Sequence, residues 1–367
     1  MPFEENNPLH TISLEYLYAG LVAQDDIYNH DGKLLLIAKG ITLTDMMITR
    51  LKNFNAMQKN IKVSAKLHKE LMDRGMPQKY KQDSFEKDVG YSSVKEEAKS
   101  LVTITQITNQ IPYEQVCDVG SLALEKIKIT DPALLFQCIN GANEIDEYLY
   151  RHSTNVAIIN GLIGKWLGLG TDEIENLVIL GLVHDIGKLR VSPEVLNLPR
   201  KLSDQEFEVV KKHAVYSYDM LGENGNFSDM IKKSARHHHE KMNGTGYPDG
   251  LSADEIPLYS RITAISDIYD AMVSRRCYKN AQSPFEVLMQ MQNEQFSGLD
   301  IRLVNLFDQQ MPKELLGKPV LMSNGAIGVV RHINSTNMAY PLVDINGETI
   351  MTNKDLHCVS MIIDDDV

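Results

Sequence analysis

Cysteine is scarce in this chain of 367 residues, and what there is lies scattered. Cys117, Cys138, Cys277 and Cys358 make no Cys-x-x-Cys pair and no compact framework. That excludes a disulfide-stapled scaffold and leads us to expect a reducing cytoplasm. Long hydrophobic runs are missing as well. No apolar stretch approaches the ~20 residues that span a bilayer, so membrane insertion is not expected. The opening MPFEENNPLHTISLEYL lacks the basic start and apolar core of a signal peptide, so none is expected. Positive charge is in deficit. A formal net charge of −12 argues against wrapping DNA or RNA, although a local basic pocket can still hold a phosphate. Apolar side chains are plentiful instead. At 43% of residues they are enough for packed cores, and the length allows two or three domains.

Four textures follow one another. Residues 1–65 read as a small mixed α/β module: Asp31-Gly32 signals a turn, the run 34–37 a strand, and Thr44 caps a short helix through Met47, Ile48 and Leu51. Nothing in it forms a catalytic constellation, so it reads as a scaffold or interaction module. Residues 66–115 are polar and weakly periodic, which suggests a linker or a loosely packed helical connector. From 116 to 312 the spacing is helical: Ile145, Tyr148, Leu149, Val156, Ile159 and Ile163 form one stripe, and Ile174, Leu177, Val178, Gly181 and Leu182 another. Residues 313–367 break into short β-branched runs with turns at Asn324-Gly325 and Asn346-Gly347, and Asp364 to Asp366 end as a solvated tail. The fold class is therefore mainly α: a helical bundle with a small N-terminal α/β module and a short C-terminal β extension.

Polar residues sit where apolar ones belong. His152 falls on the stripe of Tyr148, Leu149, Val156 and Ile159, and Asp185 extends the stripe of Leu177 and Val178, next to His184. A buried carboxylate without a partner is costly, and a metal ion supplies the opposite charge directly. His213, His238, His239 and Asp267 lie in the same helical region, and Asp267 has the small Ala264 and Ala271 as helical neighbours. These are too many ligands for one tetrahedral zinc; mixed imidazole and carboxylate ligands suit iron or manganese first, with nickel or zinc also compatible. Two ions sharing Asp185, about 3.5–4 Å apart, would activate a water and clamp a phosphate.

The segments HDIGK (184–188), HHEKMNGTGYP (238–248) and SDIYDAMVSRRCYK (266–279) together resemble the HD-GYP subfamily of HD-domain phosphohydrolases, bacterial enzymes that open cyclic di-GMP. The resemblance covers about half the chain, residues 116–312, and implies an HD-type helical catalytic domain. It implies one ion on His152, His184, Asp185 and Asp267, and a second on Asp185, His213, His238 and His239. It leaves His237 surplus. It brings Lys188 to the scissile phosphate, Arg276 and Lys279 to the ligand's phosphates or guanine, and Gly246, Tyr247 and Pro248 to the border of the nucleotide site. The loop glycines would let the backbone pass close to the nucleotide, and Tyr247 would offer a stacking face. Glu240 is a candidate partner for a ligand histidine, and Asp270 would orient a ligand or form a salt bridge.

The implied reaction opens cyclic di-GMP to linear pGpG, and GMP after a second cut, by a metal-activated hydroxide. Three alternatives stand beside it: 3′,3′-cyclic GMP–AMP as preferred substrate, a receptor that binds a cyclic dinucleotide without cutting, and a phosphohydrolase of nucleoside phosphates, which the GYP loop and the Arg276/Lys279 pair disfavour. A second copy of the chain or a signalling protein would dock on the N-terminal module, where no phospho-receiver pattern is evident. Three departures stand out. Ser217 replaces a common glycine and Cys277 a common proline, and Tyr148 occupies the position where three-metal members carry a glutamate. A tyrosine is a poor ligand at neutral pH. Elemental analysis of the purified protein should therefore find two ions per chain, and three would contradict the reading.

Overall fold

The computed structural model describes residues 90–361 apart from 141–147, 197, 199, 201, 275–281 and 293–297; before residue 90 it describes only 10–13, 22–23, 26–28, 35–38, 43, 47–48, 51 and 60–64. Contacts divide the chain into two units, Met1–Lys81 and Gln82–Val367.

In the first unit β1 (His10–Ser13) and β2 (Val22–Ala23) both pair antiparallel with β5 (Asn60–Ser64), and β3 (Ile27–Tyr28) pairs with β4 (Leu35–Ile37). The strand expected at 34–37 is seen over 35–37, and Met47, Ile48 and Leu51 are helical. The Asp31-Gly32 turn and Thr44 lie outside the described residues, as do Asp364 to Asp366 at the other end.

The second unit begins with a departure from the sequence reading. Residues 91–108, inside the stretch read as a linker or a loosely packed helical connector, form helix α1 (Tyr91–Thr108), which is not loosely packed but belongs to the helical core. Its buried stripe is Tyr91, Val94, Ala98, Leu101, Val102 and Thr105. Lys, Glu and Ser on the other face dilute the local hydrophobicity and hide the 3.6-residue period. α2 (Tyr113–Ile129) and α3 (Pro132–Asn140) follow, then α4 (Tyr148–Trp166) and α5 (Thr171–Val183). After a 3-10 turn at Ile186–Arg190 come α6 (Pro193–Leu196), α7 (Asp204–Lys211), α8 (His213–Asn224), α9 (Asp229–His237), α10 (Leu258–Val273), α11 (Pro284–Gln292) and α12 (Ile301–Leu315). Ser203 and Ser228 cap α7 and α9 by accepting backbone N–H groups of the first turn.

β6 (Pro319–Met322), β7 (Ile327–His332), β8 (Leu342–Ile345), β9 (Glu348–Met351) and β10 (Cys358–Met361) form an antiparallel sheet in the order β10-β6-β7-β8-β9. Asn346 and Gly347 both take positive φ, 55° and 87°, in the two-residue turn between β8 and β9. Val320, Met322, Val330, Val343, Cys358 and Met361 continue the helical core, so the β extension packs within the second unit. Among the described residues no helix is long and apolar enough to cross a membrane.

One contact sets the spacing of the elements that matter most below. α4 and α5 run antiparallel so close together that a Cβ on Gly181 would lie 2.3 Å from Ala157 Cα. Only glycine permits that approach. Gly181 lies one turn before His184, and Ala157 lies five residues after His152. Gly181→Ala should lower stability by about 1–3 kcal/mol through overpacking and loosen metal retention, measured by denaturant unfolding and by dialysis of the metal-loaded protein.

Candidate metal centre

His152 projects from α4, and Asp267 and Asp270 from α10, while His213 opens α8. His184 and Asp185 fall just beyond the end of α5, where the chain turns into the 3-10 segment; Asp185 has φ −102° and ψ 7°. The sequence stripe had put Asp185 on the helix. Leaving the helix instead frees its carboxylate from the helical row and turns it among the histidines. His238 and His239 follow the C-terminus of α9.

The imidazoles share one device. The Nδ1–H groups of His184, His213 and His238 donate to the carbonyls of Gly181, Val210 and Ala235, each three residues earlier, at 2.8, 2.6 and 2.7 Å. A carbonyl can only accept, so in each neutral ring Nε2 is left as a lone pair, the form a metal needs. His152 has the same arrangement with a carboxylate, its Nδ1 lying 2.6 Å from Asp270 Oδ2. Asp270 is held in turn by Asn155 Nδ2 at 2.6 Å and Ser274 Oγ at 3.0 Å.

These lone pairs converge on Asp185. Its Oδ2 lies 3.3 Å from His152 Nε2 and 3.4 Å from His184 Nε2; its Oδ1 lies 3.2 Å from His213 Nε2 and 3.8 Å from His238 Nε2. Asp267 Oδ1 is 3.2 Å from His152 Nε2, and Asp267 Oδ2 is 3.7 Å from His239 Nδ1. Ligands ~2.1 Å from a common ion in tetrahedral geometry would stand about 3.4 Å apart. His184 Nε2, His238 Nε2 and Asp185 Oδ1 are buried and without a hydrogen-bond partner. Such orphaned atoms are costly unless something else occupies their lone pairs. The donor set therefore fits metal ions, with two ligand groups meeting at one carboxylate: Asp185, His213, His238 and His239 on one side, His152, His184 and Asp185 on the other.

The electrostatics agree. Burial opposes charge on His152, but its hydrogen bonds to Asp185, Asp267 and Asp270 outweigh this and push its pKa up to about 10. Burial pushes His239 down to about 3 and His238 well below the usual histidine range. Asp185 and Asp267 stay ionised despite burial, Asp185 through Lys188 and His184 and Asp267 through His152 and His239. A divalent ion would balance the carboxylates without a proton on His152. Lys188 Nζ donates to Asp185 Oδ2 and keeps its side chain 19% exposed, so the ammonium sits at the mouth of the cluster.

The loop after the histidines holds two corrections. Glu240 does not partner a histidine: its Oε1 accepts from the backbone N–H groups of Asp249 and Gly250 at 2.7 and 3.0 Å, fastening the far end of the loop. Gly246 is required by the protein's own backbone, since a Cβ there would fall 2.4 Å from Glu240 Cα. Tyr247 lies over His239, ring centroids 4.7 Å apart and planes tilted by 32°, with Pro248 next to it. His237 binds Asp249 at 2.9 Å, and Asp249 also pairs with Arg236 at 2.8 Å. Ser217 Oγ accepts from Gly187 N–H at 2.9 Å, tying the HDIGK turn to α8. Arg276, Lys279 and Cys277 lie outside the described residues, as does the side chain of Tyr148. Asn155 and Asp249 escaped the sequence reading. Asn155 had a signal, standing three residues after His152 on the same helical face, whereas Asp249 had none short of the folded loop.

Residues 138–303 match the family model described as the HD domain. The chain is 33% identical over 201 residues to a cyclic di-GMP phosphodiesterase of Pseudomonas aeruginosa, covering 54% of this chain and 48% of that protein. It is 36% identical over 160 residues to a 3′3′-cGAMP-specific phosphodiesterase of Vibrio cholerae, covering 42% and 36%. The chain thus spans about half the length, or less, of the curated relatives it matches. Among solved structures, the HDG"Y"P protein Bd1817 of Bdellovibrio bacteriovorus superposes with a TM-score of 0.51 at 16% identity, covering 83% of this chain and all of that one; at that identity the likeness speaks for the fold.

If Asp270 sets the tautomer and orientation of His152, Asp270→Asn should weaken metal affinity about 10- to 100-fold. Competition with a chelator measures it; unchanged affinity would show that Asp270 only packs the core.

Proposed function

We propose that this chain, whose residues 138–303 match the HD-domain family model, is a metal-dependent phosphodiesterase that opens a cyclic dinucleotide, cyclic di-GMP in the first instance. The observation that carries the proposal is the shared carboxylate: each oxygen of Asp185 faces its own pair of imidazole Nε2 atoms, with Lys188 beside it. The names of the relatives, phosphodiesterases of cyclic di-GMP and of 3′3′-cGAMP, support the substrate class and keep both bases open.

We assign His152, His184, Asp185 and Asp267 to one ion and Asp185, His213, His238 and His239 to the other, iron or manganese by donor type, with nickel and zinc compatible. When bound, the pair supplies Lewis acidity and lowers the pKa of a water at neutral pH. The chain's own residues do the rest. Asp185 fixes the two ligand groups at one spacing. Lys188 neutralises a non-bridging phosphate oxygen as negative charge builds. Tyr247 covers His239 and keeps bulk water from that side of the cluster. Addition of water oxygen to phosphorus breaks the bond to O3′, which takes the proton. The product is linear pGpG with a 5′-phosphate, and a second cut would give GMP. Arg276 and Lys279, following α10, would grip the phosphates or guanine.

The test is an end-point chromatographic assay of Mn²⁺- or Fe²⁺-loaded protein with cyclic di-GMP and 3′,3′-cyclic GMP–AMP in parallel. Linear product is expected, and none from Asp185→Ala, which should lose metal as well. Bound metal and bound dinucleotide without product would make the protein a receptor, and a fully active Asp185→Ala would overturn the scheme.

A further inference from the structure

We propose that α7 forms the outer wall of the nucleotide site, with Phe207 as the stacking face for one purine base and Lys211 as the cation beside it. The inference rests on the phosphodiesterase reading and extends it to residues outside the metal cluster and the GYP loop.

α7 has no fully buried residue, yet it is firmly held. Ser203 and Glu206 cap it reciprocally, and Arg200 grips Glu206 with two hydrogen bonds of 2.8 Å. Fastening a helix that buries no residue fully calls for a reason. Its one aromatic residue, Phe207, is 43% exposed. A lone exposed phenylalanine is ordinary, but the surroundings of this one are not. Its ring stands 6.2 Å from Tyr247 at 84°, and Tyr247 stands 4.7 Å from His239, whose Nε2 is 3.1 Å from His213 Nε2. A continuous row of rings therefore runs from the metal ligands to solvent. Within that row Tyr247 spends one face on His239, whereas Phe207 remains open to water. Lys211 Nζ sits 5.0 Å from the Phe207 ring centre and 5.5 Å from that of Tyr247. Its ion pair with Glu208, at 2.6 Å, is exposed on the carboxylate side and weak enough to exchange for a phosphate. A local ammonium of this kind can hold an anion even in a chain of net charge −12. A nucleotide with its phosphate at Lys188 and Asp185 would run its base outward along the row onto Phe207, where an aromatic face accepts any purine.

The experiment uses the full chain loaded with Mn²⁺. Calorimetry gives the Kd of GMP, which carries one base and one phosphate and no diester; steady-state assays give KM and kcat for cyclic di-GMP. Phe207→Leu keeps apolar bulk without a π face, Phe207→Trp keeps the face, and thermal midpoints confirm that each variant folds. Phe207→Leu should weaken GMP binding and raise KM roughly 5- to 100-fold, with kcat within about twofold, and Phe207→Trp should restore both. Lys211→Gln should weaken GMP binding more at low salt than at high salt. Unchanged Kd and KM in Phe207→Leu, with the wild type active, would overturn the stacking wall and leave the phosphodiesterase reading intact. A wild type that neither cuts a cyclic dinucleotide nor binds GMP would overturn both.

Discussion

Asp185 is a carboxylate with 1% of its surface exposed in the middle of a helical core, and much of the site's architecture follows from that. An uncompensated charge so placed would protonate or prevent folding. Here it is met by Lys188 and by four imidazoles from three separate parts of the chain, around α4, after α5 and from α8 to the end of α9. Direct salt bridges would satisfy a charge; they would not leave His184 Nε2, His238 Nε2 and Asp185 Oδ1 buried without a hydrogen-bond partner. That surplus of acceptors distinguishes a metal centre from a buried ion-pair network.

The scaffold achieves this with backbone more than with side chains. Carbonyls three residues upstream fix the tautomers of His184, His213 and His238, so the helical geometry itself orients the ligands. The contact of Gly181 with Ala157 brings α5 against α4, which sets the distance of the HDIGK turn from His152. Glu240 and Gly246 fasten the following loop so that Tyr247 covers His239. Stability and chemistry are coupled here: loosening the α4–α5 contact should separate the ligands before it unfolds the unit.

How legible this was in the sequence depended on the kind of signal each residue left. His152 stood on an apolar stripe, and the histidine and aspartate motifs could be seen in a one-dimensional text because their ligands come in short blocks. α1 was legible only as a loosely packed helical connector, and its place in the core was missed because lysine, glutamate and serine interrupt a stripe that includes Thr105 and Tyr91. Asp185 was placed on a helix that ends two residues before it; periodicity does not report where a helix stops without a glycine or proline to mark it. Glu240 was given to a neighbouring histidine because adjacency in sequence was the only guide, whereas its partners are the N–H groups of Asp249 and Gly250. Phe207 left no trace, since an isolated aromatic on a charged helix reads as surface until Tyr247 is brought beside it by the fold.

The central claim is that one carboxylate joins two metal positions. It is tested most directly by electron paramagnetic resonance of the Mn²⁺-loaded full chain. Two ions bridged by Asp185 should give an exchange-coupled spectrum. Signals of magnetically isolated Mn²⁺ at full occupancy would contradict the shared carboxylate and require the two histidine groups to act separately.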